Sequence, residues 1–291
     1  MTGPVMITGA AGQLGYELQR TIPTGTNVLA IDIAQLDLTD PAAVEAFIAM
    51  HKPSVIINGA AYTAVDRAEE QPAIATAVNV TAAHTLAVAA ERHGARVIQI
   101  STDFVFGGAS AQPWRPDDVT NPESVYGATK RDGEQAVLSV LGPRALVIRT
   151  AWLYSAHGGN FVKTMLRLMA ERDEVRVIAD QVGTPTWANS LAHTIWAAVQ
   201  HPDVAGILHW TDAGVASWYD FAVAIQEEAV ARGVLTRAVP VLAIPTTDYP
   251  TPARRPTYSV LDKSATTRAL HVTPTHWRAN LRLMLDELPN A

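Results

Sequence analysis

The sequence predicts an α/β fold, a doubly wound parallel sheet with a smaller C-terminal domain. Three observations predict it. Short apolar runs alternate with helix-length stretches from Val5 to Thr150, a glycine-rich turn follows the first run directly, and the character of the chain changes beyond Trp152. Strands that alternate with helices favour a parallel sheet, because parallel neighbours need crossover connections. The 291 residues are 48% hydrophobic and 17% charged, a globular composition for one broad domain or two unequal ones. Without cysteine there are no disulfides and no thiolate metal sites. A net charge of −6 with no block of Lys or Arg argues against nucleic acid or an anionic membrane as partner. The apolar runs are broken by polar residues short of spanning length, and Met1-Thr2-Gly3-Pro4 has no basic region. The expectation is a soluble, cytoplasmic protein with no membrane partner.

Val5-Met6-Ile7-Thr8 reads as the first strand, and Gly9-Ala10-Ala11-Gly12-Gln13-Leu14-Gly15 follows at once. Leu14, Leu18 and Ile22 then recur at helical spacing. Strand, glycine turn and helix together suit a dinucleotide, because glycines let the backbone approach a pyrophosphate at a helix N-terminus. The spacing is GxxGxxG, a Rossmann-like fingerprint on Gly9, Gly12 and Gly15; a ligand-free turn is the plainer alternative. Asn27 to Ile31 reads as the second strand and ends in Asp32. An acid there can accept the hydroxyls of the adenosine ribose. No arginine follows to receive a 2′-phosphate, so Asp32 favours NADH over NADPH.

Asp37-Leu38-Thr39-Asp40-Pro41 looks like a helix cap with proline in the first turn, opening a helix to His51. Val55 to Asn58 is a third strand. The small residues after it, Gly59-Ala60-Ala61, suit close approach by a cofactor, and tight packing explains them equally well. Ile74 to His93 is an alanine-rich helix, apolar nearly all round and so expected to be buried. Asn79 inside it reads as a satisfied structural group.

Arg96 to Ile100 is the fourth strand, with Ser101-Thr102-Asp103 at the carboxyl end where open α/β sheets place ligands. Tyr126-Gly127-Ala128-Thr129-Lys130 follows on a helix, which puts Tyr126 and Lys130 on one face. A nearby ammonium favours the phenolate, so Lys130 is expected to lower the Tyr126 pKa and make it a better acid at neutral pH. The Thr102 hydroxyl could bond the same reacting oxygen, and a hydride donor opposite would complete a carbonyl reductase. A lone YxxxK is a weak signal, since most such pairs lie on surfaces.

Ala145 to Thr150 is the fifth strand. Beyond Trp152 come a helix from Gly158-Gly159-Asn160-Phe161 to Glu171, a turn-rich loop over 180–186, and a helix from Ala188 to His201. Gly206 to Thr211 is a strand able to return to the sheet. A helix from Ser217, the segment Tyr249 to Pro256, and a last helix with Trp277, Leu281, Met284 and Leu288 on one stripe complete the chain. Residues 1–156 read as the dinucleotide-binding domain, with 187–213 returning to it. Residues 157–186 and 214–291 read as the substrate-binding domain.

The fingerprint glycines, Asp32, Ser101-Thr102-Asp103 and Tyr126xxxLys130 together resemble the extended short-chain dehydrogenase/reductases. Longer strings are similar to the branch of that family acting on dTDP-4-dehydro sugars. They are Thr63-Ala64-Val65-Asp66, Ser101 to Phe106, Asn160 to Leu168, and Tyr249 to Ala253; the last two lie outside the cofactor fold. The resemblance runs essentially end to end. It implies hydride transfer from NADH or NADPH to C4 of dTDP-4-dehydro-β-L-rhamnose, giving dTDP-β-L-rhamnose, the last step in making that sugar donor.

By position the resemblance makes Tyr126 the proton donor, with Lys130 tuning it and binding the nicotinamide ribose. It sets Thr102 on the C4 oxygen, with Asp103 and Trp152 against the sugar nucleotide. Gly12, Gln13, Leu14, Asp32, Asp37, Leu38, Ala61, Tyr62 and Thr63 fall on cofactor positions. Arg255, with Asn160 and the loop around Gln181 nearby, is the candidate partner of the substrate diphosphate, a structural salt bridge being the alternative. Phe104 stands where the family often has tyrosine. Asn189 stands where some members carry a glutamate of a magnesium-bridged dimer; Glu287 remains near the other end, but a single carboxylate makes a poor Mg²⁺ site. No metal is assigned, and a metal-free homodimer stays open. So do two other readings, a nucleotide-sugar epimerase with the same triad and a non-catalytic nucleotide-binding subunit. The intact Thr102, Tyr126 and Lys130 count against the last.

Overall fold

The computed structural model describes residues 3–288. Six parallel strands form the central sheet: β1 (Val5–Thr8), β2 (Val28–Ile31), β3 (Val55–Asn58), β4 (Arg96–Thr102), β5 (Ala145–Thr150) and β6 (Gly206–His209). Their order is β6-β5-β4-β3-β1-β2. The chain steps to one side of β1 for β2 and to the other for β3, so the switch point lies between β1 and β3, where open sheets leave a crevice. The register sets Thr8 opposite Asn58, and Thr102 opposite Thr150, so polar residues line up at the carboxyl ends. The strands themselves are apolar, as expected of a sheet covered on both faces.

The covering helices bury one stripe each. Helices Gln13–Arg20 and Ala188–Gln200 pack Leu14, Leu18, Leu191, Ile195 and Trp196 on one face. Helices Pro41–His51, Pro72–His93 and Val125–Leu141 pack Val44, Ile48, Leu86, Ala87 and Val137 on the other. A third apolar cluster gathers Tyr154, Val162, Met165, Trp187, Phe221, Ile225, Trp277, Leu281 and Met284.

The expected cap over 37–41 is present: Asp40 caps helix Pro41–His51, accepting from the Ala42 and Ala43 amides at 2.9 and 3.1 Å, and Asp37 closes its own turn onto Thr39. Several other expectations change in detail. Helix Pro72–His93 carries a π-turn at Ala77–Thr81 and is not buried all round, since Ile74 is 50% exposed. By length and apolarity alone that helix could cross a membrane; here its other face packs on the sheet and two neighbouring helices. The last helix spans Trp277–Asp286, so Leu288 of the expected stripe lies beyond it. Sequence periodicity missed the parallel pair Val175–Ile178 with Val241–Ile244, whose second strand is half-exposed, and the short helix Ser264–Leu270.

Candidate active site

A cleft of about 1070 Å³ opens at the carboxyl ends of the sheet and crosses the switch point. The residues assigned to catalysis, cofactor and substrate line it, whereas Gln181, Asn189 and Glu287 do not. Gly9, Gly12, Gln13, Leu14, Gly15, Asp32, Asp37 and Leu38 lie towards β1 and β2, and Ala61, Tyr62 and Thr63 follow β3. Thr102, Asp103, Tyr126, Lys130, Trp152, Asn160 and Arg255 complete the wall. The glycines differ in what requires them. Gly9 has φ of 67°, and a Cβ there would come within 2.9 Å of the Gly59 carbonyl. A Cβ on Gly15 would strike the Gly9 carbonyl oxygen. Gly12 has a single contact, at 3.3 Å from the Gly9 carbonyl oxygen, so packing requires it less than the other two.

Asp32 is tied to this turn: its Oδ2 accepts from the Ala11 amide at 2.8 Å and its Oδ1 from the Ile33 amide at 2.8 Å. The segment 155–160 closes on the same turn from far along the chain. His157 Nε2 donates to the Ala11 carbonyl at 2.9 Å, and Asn160 Nδ2 to Gln13 Oε1 at 3.0 Å. Asn160 also caps helix Phe161–Glu171, accepting from the Lys163 amide.

Beneath the cleft runs a buried polar ladder. Thr8 Oγ1 donates to Asn58 Oδ1, and Asn58 Nδ2 to Gln99 Oε1, each at 2.7 Å. Gln99 Nε2 donates to the Ile100 carbonyl at 3.1 Å, and the same carbonyl accepts from Lys130 Nζ at 2.6 Å. Lys130 is therefore held by β4 as well as by its own helix. Burial pushes its pKa down to about 8, with Glu134 one turn along opposing. Glu134 is itself a buried partner of Arg149, at 2.7 and 2.9 Å.

Helix Val125–Leu141 begins on Ser124, whose hydroxyl accepts from the Gly127 amide, and Glu69 accepts from the Val125 amide at 2.8 Å. That start fixes Tyr126 in the cleft, with the Phe104 ring edge-on at 5.5 Å. The expected fall in the Tyr126 pKa is not what its surroundings produce. Burial pushes it up to about 12; the Thr102 hydroxyl opposes the rise and the Asp103 charge adds to it. The Lys130 ammonium is engaged with the Ile100 carbonyl rather than with the phenol. Tyr126 is thus a protonated donor at neutral pH. Thr102 Oγ1 donates to Asp103 Oδ1 at 3.0 Å, and burial pushes the Asp103 carboxyl up to about 6, with the Ser259 and Thr102 hydroxyls opposing.

Arg255 faces the cleft but is paired. Its two terminal nitrogens reach the Asp66 carboxylate at 3.0 and 2.8 Å, and one also donates to Thr251 Oγ1 at 2.6 Å. The fork holds the Asp66 carboxyl below its usual range. Gln181 is buried and bonds Thr246, so it serves its loop. Trp218, stacked on Trp152, is a further cleft residue that went unread in the sequence, and Asn79 behind the cleft is the satisfied structural group expected, its amide bonding both the Tyr62 backbone and Thr129 Oγ1. Their partners lie far away in the chain, where no local pattern reports them.

Three buried polar atoms among the cleft residues, Ser101 Oγ, Asp103 Oδ2 and Thr150 Oγ1, have no partner within the protein. With the glycine turn and Asp32 they form a donor and acceptor set that fits a dinucleotide and a polar substrate. The magnesium position fits poorly. Asn189 Nδ2 donates to Glu17 Oε2 at 3.0 Å, and Arg20 reaches both Glu17, at 3.3 Å, and Glu287, at 2.8 Å. A guanidinium and an amide N–H group stand where oxygen ligands would be needed.

Residues 2–290 match the sequence model of a family described as "RmlD substrate binding domain". The dTDP-4-dehydrorhamnose reductase of Escherichia coli K12 is 41% identical over 292 residues, covering 98% of this chain and 97% of that protein. The crystal structure of a dTDP-4-dehydrorhamnose reductase from Clostridium acetobutylicum superposes with a TM-score of 0.92 at 40% identity, over 97% of this chain and 98% of the other. That of the Bacillus anthracis enzyme, in complex with NADP, also gives 0.92, at 34% identity over 99% and 100%. With likeness of this extent in both sequence and fold, and the motifs gathered in one cleft, the chain belongs to the dTDP-4-dehydrorhamnose reductase family, within the extended short-chain dehydrogenase/reductases.

Proposed function

We propose that the protein is an NAD(P)H-dependent oxidoreductase that reduces dTDP-4-dehydro-β-L-rhamnose at C4 to dTDP-β-L-rhamnose, the last step in making that donor for cell-envelope polysaccharide. The observation that carries the reading is convergence: Thr102, Tyr126 and Lys130 meet the glycine turn in a single cleft. The names of the relatives support the substrate. The cleft's ladder and glycine turn support a nicotinamide dinucleotide, which when bound supplies the hydride.

The protein's own groups do the rest. Tyr126, kept protonated by its surroundings, gives its proton to the C4 oxygen as negative charge develops there. The Thr102 hydroxyl bonds the same oxygen and orients it. Lys130, anchored on the Ile100 carbonyl, sits one turn from Tyr126 with a charge that stabilises the phenolate left behind. Trp152, Asn160 and Arg255 line the side assigned to the sugar nucleotide. The third apolar cluster is read as the core of the substrate-binding part, residues 157–186 and 214–291. Asp32 carries a charge beside the adenosine-ribose position and favours NADH, since a 2′-phosphate would meet that carboxylate. A cytoplasmic location fits a reaction supplied by soluble NAD(P)H and a nucleotide sugar.

The test is NADH oxidation by purified protein in proportion to added dTDP-4-dehydro-L-rhamnose. An epimerase would turn over without net NADH loss, and a non-catalytic subunit would not turn over at all. Comparing kcat/KM for NADH and NADPH decides the cofactor; a strong preference for NADPH would overturn the assignment of Asp32.

A further inference from the structure

We propose that Trp218 and Gly183 are positioning residues that clamp the Trp152 indole as a wall of the sugar-nucleotide half of the cleft; this rests on the reductase reading above. Trp152 has φ of 48°, the left-handed region that a residue with a Cβ rarely adopts. Such a conformation persists only where the surroundings over-determine it, and it concentrates at ligand sites. Here two neighbours hold the ring. Trp218 stacks on it with ring centroids 3.6 Å apart and planes 8° from parallel. Gly183 leaves the space that the ring fills: a Cβ there would come 2.6 Å from Trp152 Cε2 and 2.8 Å from Cζ2. The backbone is pinned as well, because the Thr186 amide donates to the Trp152 carbonyl at 3.1 Å.

Both jaws of the clamp come from one small piece of structure. Gly183 pairs with Ala216, and Val182 with Ser217, in a two-residue antiparallel ladder. Ser217 then caps helix Trp218–Ala231 in a capping box: its hydroxyl accepts from the Asp220 amide at 3.0 Å, and its amide donates to Asp220 Oδ2 at 2.9 Å. Trp218 is the first residue of that helix, so the ladder that sets Gly183 also sets Trp218. The stacked indoles are only half-buried and line the cleft beside Asn160 and Arg255. A rigid aromatic plane in that place suits the apolar C–H face of a 6-deoxy sugar.

The test compares wild type with Trp218→Ala, Trp218→Phe and Gly183→Ala. Calorimetry gives Kd for NADH and for dTDP-β-L-rhamnose, turnover gives kcat and KM, and circular dichroism reads the exciton couplet of the stacked indoles. Trp218→Ala is expected to weaken sugar-nucleotide Kd and KM by about tenfold, the scale of one lost aromatic contact. It should leave NADH Kd within about twofold and abolish the couplet. Trp218→Phe should recover most of the lost affinity. Gly183→Ala should weaken sugar-nucleotide binding in the same way by pushing Trp152 out of place with Trp218 intact. Should Trp218→Ala fail to fold, Gly183→Ala decides the matter. Wild-type sugar-nucleotide affinity in Gly183→Ala or in Trp218→Ala would overturn the clamp, as would equal loss of NADH and sugar-nucleotide affinity with no recovery by phenylalanine. A wild type that binds dTDP-β-L-rhamnose but does not reduce the 4-dehydro sugar would refute the reductase reading alone, and the Kd comparison would still decide the clamp.

Discussion

At the scale of single residues, Tyr126 and Lys130 share one helical face, and burial moves their proton affinities in opposite senses. The phenol goes up to about 12 and the ammonium down to about 8, because each buried group favours its neutral form. In the reducing direction the phenol must start protonated, so a high value does not hinder it. Lys130 sets the alkaline limit instead. Its charge is present below about pH 8 and is lost as the pH rises through that value. The free enzyme's kcat/KM is therefore expected to fall above about pH 8, and Lys130→Ala should lack that limb while binding NADH less tightly. Tyr126→Phe removes the donor with little change of shape. General acid catalysis contributes about 10²–10⁴-fold, so kcat should fall by that factor, roughly 3–5 kcal/mol, with NADH affinity kept. The double variant should lose far less than the sum of the two, since both act on one proton transfer. Near-normal turnover by Tyr126→Phe, or an unchanged alkaline limb in Lys130→Ala, would show that other groups carry these roles.

Among the elements, helix Pro72–His93 does more than cover the sheet. Its π-turn carries Asn79, whose Oδ1 accepts from the Tyr62 amide at 2.9 Å while its Nδ2 donates to the Tyr62 carbonyl at 3.2 Å and to Thr129 Oγ1 at 3.1 Å. One side chain thus ties the loop of Ala61, Tyr62 and Thr63 to the helix of Tyr126 and Lys130. Asn79→Ala should cost about 1–3 kcal/mol of stability, since it strands a half-buried backbone amide. If the loop holds the dinucleotide, it should also raise the Kd for NADH while leaving the KM for the sugar nucleotide. Unchanged NADH affinity in a destabilised variant would confine Asn79 to the scaffold. This contact also shows where the sequence stops being informative. The strands, the glycine turn and the Asn160 and Ser217 caps are local patterns and could be read directly. Asn79 reads as a satisfied structural group, but the sequence does not name what satisfies it, because its partner Thr129 is 50 residues away. For Arg255 the sequence leaves open a diphosphate partner or a structural salt bridge, and cannot name the bridge because its partner Asp66 is 189 residues away. The Tyr126 shift was misjudged because the direction of the Lys130 ammonium depends on the Ile100 carbonyl, which no helical spacing encodes.

Across the whole molecule, Glu17 joins parts of the chain that are distant in sequence. This fully buried carboxylate accepts from Ser155 Oγ at 2.6 Å, from Asn189 Nδ2 at 3.0 Å and from Arg20 at 3.3 Å. Arg20 goes on to grip Glu287 through two bonds of 2.8 and 2.9 Å, so helix Gln13–Arg20 is fastened to the end of the last helix. The Arg20–Glu287 arm is partly exposed and contributes little alone, but the Glu17 arm ends on a buried charge. Arg20→Ala should therefore lower stability by about 1–3 kcal/mol, mostly by leaving Glu17 short of a cation. In a chain of this size about 1 kcal/mol corresponds to roughly 2–4 °C in Tm, so thermal unfolding would resolve the loss. The same guanidinium stands where a divalent ion would have to sit between the carboxylates. EDTA is accordingly expected to change neither the sedimentation of the wild type nor its turnover, and added Mg²⁺ should not raise its Tm. An oligomer that EDTA dissociates and Mg²⁺ restores would mean that Arg20 swings out and further oxygen ligands complete a metal site in its place.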